Sequence, residues 1–331
     1  MDRISELSLL DDWVPIRFYQ RDEHPMVDWC YFGERSFTEP FFSETVDECL
    51  RLPFNLIFRH QTSMDTLRRR YETKPGLQPT GFVFHMSRCG STLLSQLLAT
   101  LSSTIVISEA GPIDSILRTG LPVNGAANDR RVDWLRWLIS ALAQPRLANE
   151  RQFFIKFDCW NVLYFSLIRR AFPDVPWVFL YRDPVEVLVS QLAHRGAHAI
   201  PHAINPELFG MDIETATSLS PDDYCAKVLA AICQAGLQHN QDGGRLINYT
   251  QLPEVGWTSI LDFFGASVSE SELRSMQAAA QFDAKNPKWV FSDDRTRKKE
   301  LATESVRAAA ERWLYPVYEE LESARMAASL A

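Results

Sequence analysis

Gly81-Phe82-Val83-Phe84-His85-Met86-Ser87-Arg88-Cys89-Gly90-Ser91-Thr92-Leu93-Leu94-Ser95-Gln96-Leu97-Leu98 runs from an apolar, β-rich segment through a short polar turn into a helical one. Gly90 lets the backbone turn tightly. The amides of about residues 88 to 92 then converge at a helix N-terminus. Such a nest, with the helix dipole behind it, binds a phosphate or sulfate group. Ser91 and Thr92 add hydroxyls and Arg88 adds a positive charge. The same residues also fit an ordinary helix cap, so this stretch needs support from elsewhere in the chain.

Outward from it, strand and helix alternate. Thr104-Ile105-Val106-Ile107, Phe153-Phe154-Ile155, Trp177-Val178-Phe179-Leu180-Tyr181 and Arg245-Leu246-Ile247-Asn248-Tyr249 read as further strands. Val132, Leu135, Leu138, Ile139 and Leu142 fall on one helical face. Continuous apolar runs mark strands buried on both faces, and strands separated by helices imply βαβ units. The expected fold is α/β, a mainly parallel sheet flanked by helices and P-loop nucleotide-binding-like, with a small N-terminal appendage. Residues 1–78 form the accessory region and 79–331 the main domain, joined through the turn-rich Tyr71–Thr80. Residues 1–78 show short apolar stretches and few clear strands. Ligands of such a sheet bind at the carboxyl ends of its strands.

The 331 residues are 46% hydrophobic and 23% charged, ordinary for a globular chain with a sizeable core. A net charge of −8 leaves no global basic field for a nucleic acid. The six cysteines show no C-x-x-C pair and read as buried thiols of a reducing compartment. No apolar run approaches the roughly 20 residues that span a bilayer. The start, Met1-Asp2-Arg3-Ile4-Ser5-Glu6, lacks a basic segment followed by a long apolar one. A cytoplasmic protein without membrane contact is expected.

A Walker A loop, G-x-x-x-x-G-K-[ST], would need glycine at His85 and lysine at Ser91. Neither is present, which disfavours an ATPase or GTPase. A second motif follows in Trp177–Ser190. Arg182 ends a strand, Pro184 fits a first helical turn, and Ser190 comes eight positions after Arg182. Together Arg182 and Ser190 could grip a second phosphate.

Arg88-Cys89-Gly90-Ser91-Thr92-Leu93, between strand and helix, resembles the 5′-phosphosulfate loop of sulfotransferases that use 3′-phosphoadenosine 5′-phosphosulfate (PAPS). That loop commonly runs Arg-Ser-Gly-Thr-Thr-Leu, so Cys89 is a departure that a backbone contact would survive. Arg182-Asp183-Pro184, with Ser190, is similar to the 3′-phosphate signature of the same family. Asn248-Tyr249-Thr250-Gln251-Leu252, then Ile260-Leu261-Asp262-Phe263-Phe264-Gly265, looks like the family's tyrosine-bearing strand end and its "Phe-Leu-Gly" helix. The resemblance spans roughly residues 79 to 265. It implies PAPS as donor, PAP as product, and cofactor contacts from Arg88, Cys89, Gly90, Ser91, Thr92, Arg182, Ser190 and Tyr249.

Within that resemblance, Glu109 matches the general base of tyrosylprotein sulfotransferases and related bacterial enzymes. Lys156, in Lys156-Phe157-Asp158, partly matches a lysine of a Lys-Asp-Pro turn. Lys156 and Arg88 would stabilise the transition state. The plainer readings are a glutamate capping the helix opened by Gly111-Pro112, and a surface pair of Lys156 with Asp158. The family's cytosolic branch uses a histidine base, so the histidines also count. His194, His198 and His202 are spaced by four, but Gly196 and Pro201 interrupt a helix there. No metal is expected. His194 or His198 suits the acceptor pocket better, and His85 reads as packed.

For the adenine side, Trp289 and the basic run Arg295-Thr296-Arg297-Lys298-Lys299 are the candidates, ahead of a final helix at about 300 to 325. The acceptor is a small molecule, met by loops 111–130 and 195–220, whose Ile200, Ile204, Leu208 and Phe209 favour a partly apolar one. Residues 1–78 cover the acceptor cleft or form a homodimer contact, and the sequence does not choose. Two alternatives stay open: a P-loop nucleotide or metabolite kinase, and a non-catalytic PAP-binding module.

Overall fold

A computed structural model describes residues 10–22, 24–120 and 126–329 of the chain. Five parallel strands form its main sheet: β4 (Gly81–His85), β5 (Thr104–Ser108), β6 (Gln152–Lys156), β7 (Trp177–Tyr181) and β8 (Gly244–Asn248), in the order β5-β6-β4-β7-β8. Every residue of β4 and β7 is buried. Helices on both faces cover such a sheet, which is why these strands are apolar throughout rather than alternating. From central β4 the chain crosses to β5, returns to β6 beside β4, and then passes to β7 on the other side. The strand order therefore reverses at β4, and its carboxyl end opens into a crevice.

The turns around this crevice explain their own positions. Asp183 caps the helix Pro184–Ala193 by accepting the Glu186 N–H, and Pro184 occupies the first turn. Glu109 N–H donates to the Lys156 carbonyl at 2.7 Å, and Phe157 N–H to Val83 at 3.0 Å. These bonds stitch the exits of β4, β5 and β6 together.

The N-terminal region departs from its sequence reading. It holds an antiparallel sheet of β1 (Trp13–Arg21), β2 (His24–Tyr31) and β3 (His60–Ser63), in the order β1-β2-β3. Pro15 and Pro25 hid the strands. Pro15 sits at a register shift on an edge strand and Pro25 next to a strand's start, two places where a sheet tolerates proline. Phe18 of β1 packs on Trp134, ring centroids 5.5 Å apart, so this sheet shares its core with the helix Ala126–Leu142. At the other end, the expected final helix begins earlier, as Arg295–Leu301. After a break it runs from Glu304 to Ser329 with wider turns at Ala310–Leu314. Part of the loop 111–130, residues 121–125, lies outside the described residues. Among the described residues, no helix is long and apolar enough to cross a membrane.

Candidate active site

A cavity of about 610 Å³ opens where β4, β5, β6 and β7 end, a size that suits a small-molecule site. The loop after β4 forms its floor. Ser87, Arg88 and Gly90 all have positive φ, at 78°, 52° and 86°. For Ser87 and Arg88 that conformation costs of order 1 kcal/mol each, and such strain collects at functional sites. At Gly90 a Cβ would lie 2.7 Å from Leu252 Cδ1 and 2.8 Å from Tyr249 Cδ2, so the position is closed to side chains on both counts. The helix Ser91–Ala99 starts from Gly90 without a side-chain cap, leaving its first N–H groups for an anion at the cavity floor.

Cys89 faces the other way. Its thiol is buried and donates to the Leu180 carbonyl at 3.1 Å, tying the loop to β7. Burial pushes it up to about 12, so it stays a neutral thiol.

Three groups meet beside Thr92. Lys156 Nζ lies 2.9 Å from Glu109 Oε1 and donates to Thr92 Oγ1 at 3.4 Å. Its side chain is 0% exposed, while that of Glu109 is 25% exposed and borders the cavity. Burial alone would raise the Glu109 carboxyl, but the charge of Lys156 and a hydrogen bond from His85 outweigh it and hold it at about 2. Glu109 itself has φ 54°. The cap position before Gly111–Leu117 belongs to Ala110, so Glu109 does not cap that helix. Lys156 pairs with Glu109 rather than at the surface with Asp158.

His85 is buried behind this pair. Its Nδ1 accepts the Ser87 N–H at 3.0 Å, which assigns the proton to Nε2. Nε2 points to the Phe157 carbonyl at 3.0 Å and to Glu109 Oε1 at 3.5 Å. Burial lowers its pKa, keeping it neutral. His85 is packed, as its sequence position indicated, and also bonded to Glu109.

Arg182 and Ser190 border the same cavity. The Arg182 guanidinium lies 3.9 Å over the Tyr249 ring. It is already engaged: Nε donates to Glu186 Oε2 at 2.6 Å and Nη2 to Asp294 Oδ1 at 2.9 Å. Burial works against its charge, but Glu186, Tyr249 and Asp294 raise its pKa overall. The basic run Arg295–Lys299 is largely matched by its own neighbours. Arg295 pairs with Asp293 at 2.5 Å, Lys298 with Asp294 at 2.7 Å, and Lys299 lies 3.5 Å from Asp183. Trp289 is 67% exposed and does not border the cavity, whereas Phe282 and Phe291 do. A second cavity of about 370 Å³ shares Arg182 and Tyr249 with the first and is bordered by Arg295 and Lys299.

Of the spaced histidines, only His198 borders the main cavity; it is buried and bonded to Gln191 at 3.0 Å. Burial lowers it to about 4. Arg88 Nη2 donates to the His194 carbonyl. Among the described residues, no group of three or more His, Cys, Asp and Glu is placed to hold a metal. Of loop 195–220, Gly196, Ala197 and His198 reach the cavity, while Ile204 and Phe209 are buried in the core and Ile200 is exposed.

Sequence reasoning overlooked several contributors. Phe41 arrives from the N-terminal region, Trp160 from the turn after β6, and Lys285 and Asp294 from the late segment. None carries a spacing signal. Asp294 was visible only as the acid beside a basic run.

No family model matches this chain, and no curated protein matches it. Solved structures do resemble it. Sulfotransferase STF9 from Mycobacterium avium aligns with TM-score 0.46 and 12% identity over 76% of this chain and 78% of its own. A sulfotransferase from Alicyclobacillus acidocaldarius gives 0.42 and 14%, over 75% and 96%. The sulfotransferase domain of the Synechococcus PCC 7002 olefin synthase gives 0.40 and 16%, over 76% and 96%.

Proposed function

We propose that this chain is a PAPS-dependent sulfotransferase acting on a hydroxyl or amine of a small acceptor. The observation that carries the reading is the Glu109–Lys156 pair set against Thr92, at the mouth of an uncapped anion loop that bears Arg88. Glu109, Arg88 and the anion seat therefore border one cavity, with Lys156 sealed behind the carboxylate.

The fit to the donor has support and one point of friction. The open N–H groups, the Gly90 surface and Arg88 suit a sulfonated phosphate. Ser190, Tyr249 and Arg182 border the same cavity and suit the second phosphate. Asp294 lies on Arg182 and must yield to an incoming anion. PAPS supplies a sulfuryl group already activated as a mixed anhydride, so the protein's task is positioning and charge stabilisation.

Glu109 takes the proton of the acceptor as its oxygen or nitrogen bonds to sulfur. The sulfur–oxygen bond to the 5′-phosphate breaks in the same step, and its electron pair stays on the phosphate of PAP. Lys156 and Arg88 stabilise the charge that develops there. A carboxylate held at about 2 is a feeble base. Lys156 therefore serves twice: in turning from Glu109 to the departing oxygen it also restores basicity to the carboxylate. A kinase finds less support, because Ser91 stands in the Walker lysine slot.

The test is turnover. PAPS is mixed with a panel of phenols, alcohols and amines in the presence of a chelator, and PAP formation is followed by chromatography. Acceptor-dependent PAP release, reduced a hundredfold or more in Glu109→Gln, is expected. Consumption of ATP with magnesium and none of PAPS would contradict the reading.

We infer further that the chain works without a metal, that its acceptor is partly apolar because Phe41 and Trp160 border the cavity whereas Ile200, Ile204, Leu208 and Phe209 do not, and that residues 1–78 close the acceptor side. Phe41, half-buried at the cavity wall, supports the last point.

A further inference from the structure

Lys285 lies in the segment Phe282–Phe291, far along the chain from the anion loop. It nevertheless borders the same cavity as Arg88 and Glu109. The segment is pinned by an antiparallel bridge between Phe282 and Val290 and by the N–H groups of Lys285 and Asn286 donating to Asp283 Oδ1. Its turn therefore holds Lys285 at the cavity rim. One ring connects this lysine with the buried one. Phe41 has Lys156 Nζ 4.6 Å from its centroid and Lys285 Nζ 5.7 Å away, both within cation–π reach.

The two lysines differ in what neutralises them. Lys156 is paired with Glu109, whereas the Lys285 ammonium makes no ion pair among the described residues. Its side chain is exposed at the rim. Lost hydration on the cavity side and the nearby charges of Arg88 and Lys156 lower its pKa against the opposing pull of Glu109 and Asp283. Arg88 and Lys285 thus border one space with Lys156 sealed behind it, and although Glu109, Asp158, Asp283 and Asp294 border that space too, none forms an ion pair with Lys285 among the described residues. An ammonium so placed is neutralised by an anion, and the anion loop lies at that point.

We propose that Lys285 is a catalytic residue that binds the sulfuryl group of PAPS opposite Arg88, so that a late segment of the chain completes the site begun by the loop after β4. The proposal rests on the sulfotransferase reading. Its chemistry is specific: Lys285 acts on the sulfuryl oxygens, which PAPS has and PAP lacks. Phe41 is its positioning partner, its ring lying within reach of both ammonium groups at the cavity wall.

Calorimetric titration with PAP and with PAPS, without acceptor, separates these contributions. It is run on the wild type, Lys285→Ala and Lys285→Arg. PAP should bind all three within about twofold. PAPS should bind Lys285→Ala tenfold or more weakly, and Lys285→Arg should recover to within about threefold of wild type. PAPS affinity unchanged in Lys285→Ala overturns the proposal, as does an equal loss for both nucleotides. A wild type that binds neither nucleotide removes the sulfotransferase reading and this proposal with it.

Discussion

Lys156 Nζ and Glu109 Oε1 lie 2.9 Å apart at the exits of neighbouring strands, the lysine sealed and the carboxylate open to the cavity. Their meeting follows from the parallel register that sets Ser108 beside Lys156 and from the Glu109 amide that donates to the Lys156 carbonyl. The pair makes the carboxylate a poor base until something takes the lysine's attention.

This coupling predicts two different acid limbs. In the free enzyme Glu109 stays ionised down to about 2, so kcat/KM should show no loss from this group above pH 4. Once bound donor draws Lys156 away, the carboxyl rises towards its ordinary range near 4.3 or beyond. The acid-side inflection of kcat should therefore lie at higher pH than that of kcat/KM. Coincident inflections would mean that Lys156 never leaves Glu109.

Stability should follow the same pair. Glu109 has its pKa depressed on folding, so its contribution is complete above about pH 4.3 and is lost as pH falls towards 2. Glu109→Gln leaves the Lys156 ammonium buried without its counter-charge and should cost about 3 kcal/mol in urea unfolding at pH 7. Adding Lys156→Met removes the stranded charge and should recover much of that loss. A double variant no more stable than Glu109→Gln would show that the loss does not come from a stranded Lys156 charge.

Asp294 shares Arg182 with Glu186 and stands where the second phosphate is expected. Asp294→Asn should tighten PAP binding by about threefold to tenfold, because a competing negative charge is removed. An affinity that falls instead would make Asp294 a support for Arg182 rather than a competitor.

The loop after β4 should show opposite responses at two positions. Gly90→Ala places a Cβ against Leu252 and Tyr249 at positive φ and should lower stability by roughly 2 kcal/mol or more, with PAP affinity falling too. Arg88→Gly relieves the φ of 52° and should raise stability by up to about 1 kcal/mol while abolishing turnover. Thermal unfolding and a PAP titration on each variant check both. An Arg88→Gly protein that turns over normally would remove Arg88 from the mechanism.

The sheet was legible because strands buried on both faces are apolar throughout, and the loop because only glycine suits the turn into the helix. Arg182 and Ser190 were legible through their fixed offset along one strand–turn–helix unit, and both border the cavity. What stayed hidden is long-range. Phe41 and Lys285 reach the cavity from opposite ends of the chain, on segments with no periodic pattern. Cys89 read as a departure that a backbone contact would survive, and nothing in the sequence signalled that its sulfur anchors the loop to the Leu180 carbonyl. The strands β1 and β2 were masked by Pro15 and Pro25, which their sheet accommodates at a bulge on an edge strand and near a strand start. The basic run at 295–299 read as a binding loop because sequence alone could not show its pairing with Asp293, Asp294 and Asp183.

The most direct test is calorimetric titration of the wild type and Arg182→Ala with PAP and with ATP, with and without magnesium. Micromolar PAP binding that is indifferent to magnesium and lost in Arg182→Ala is the predicted result. Tight, magnesium-dependent ATP binding with no response to PAP would contradict the sulfotransferase reading and favour a kinase on the same sheet.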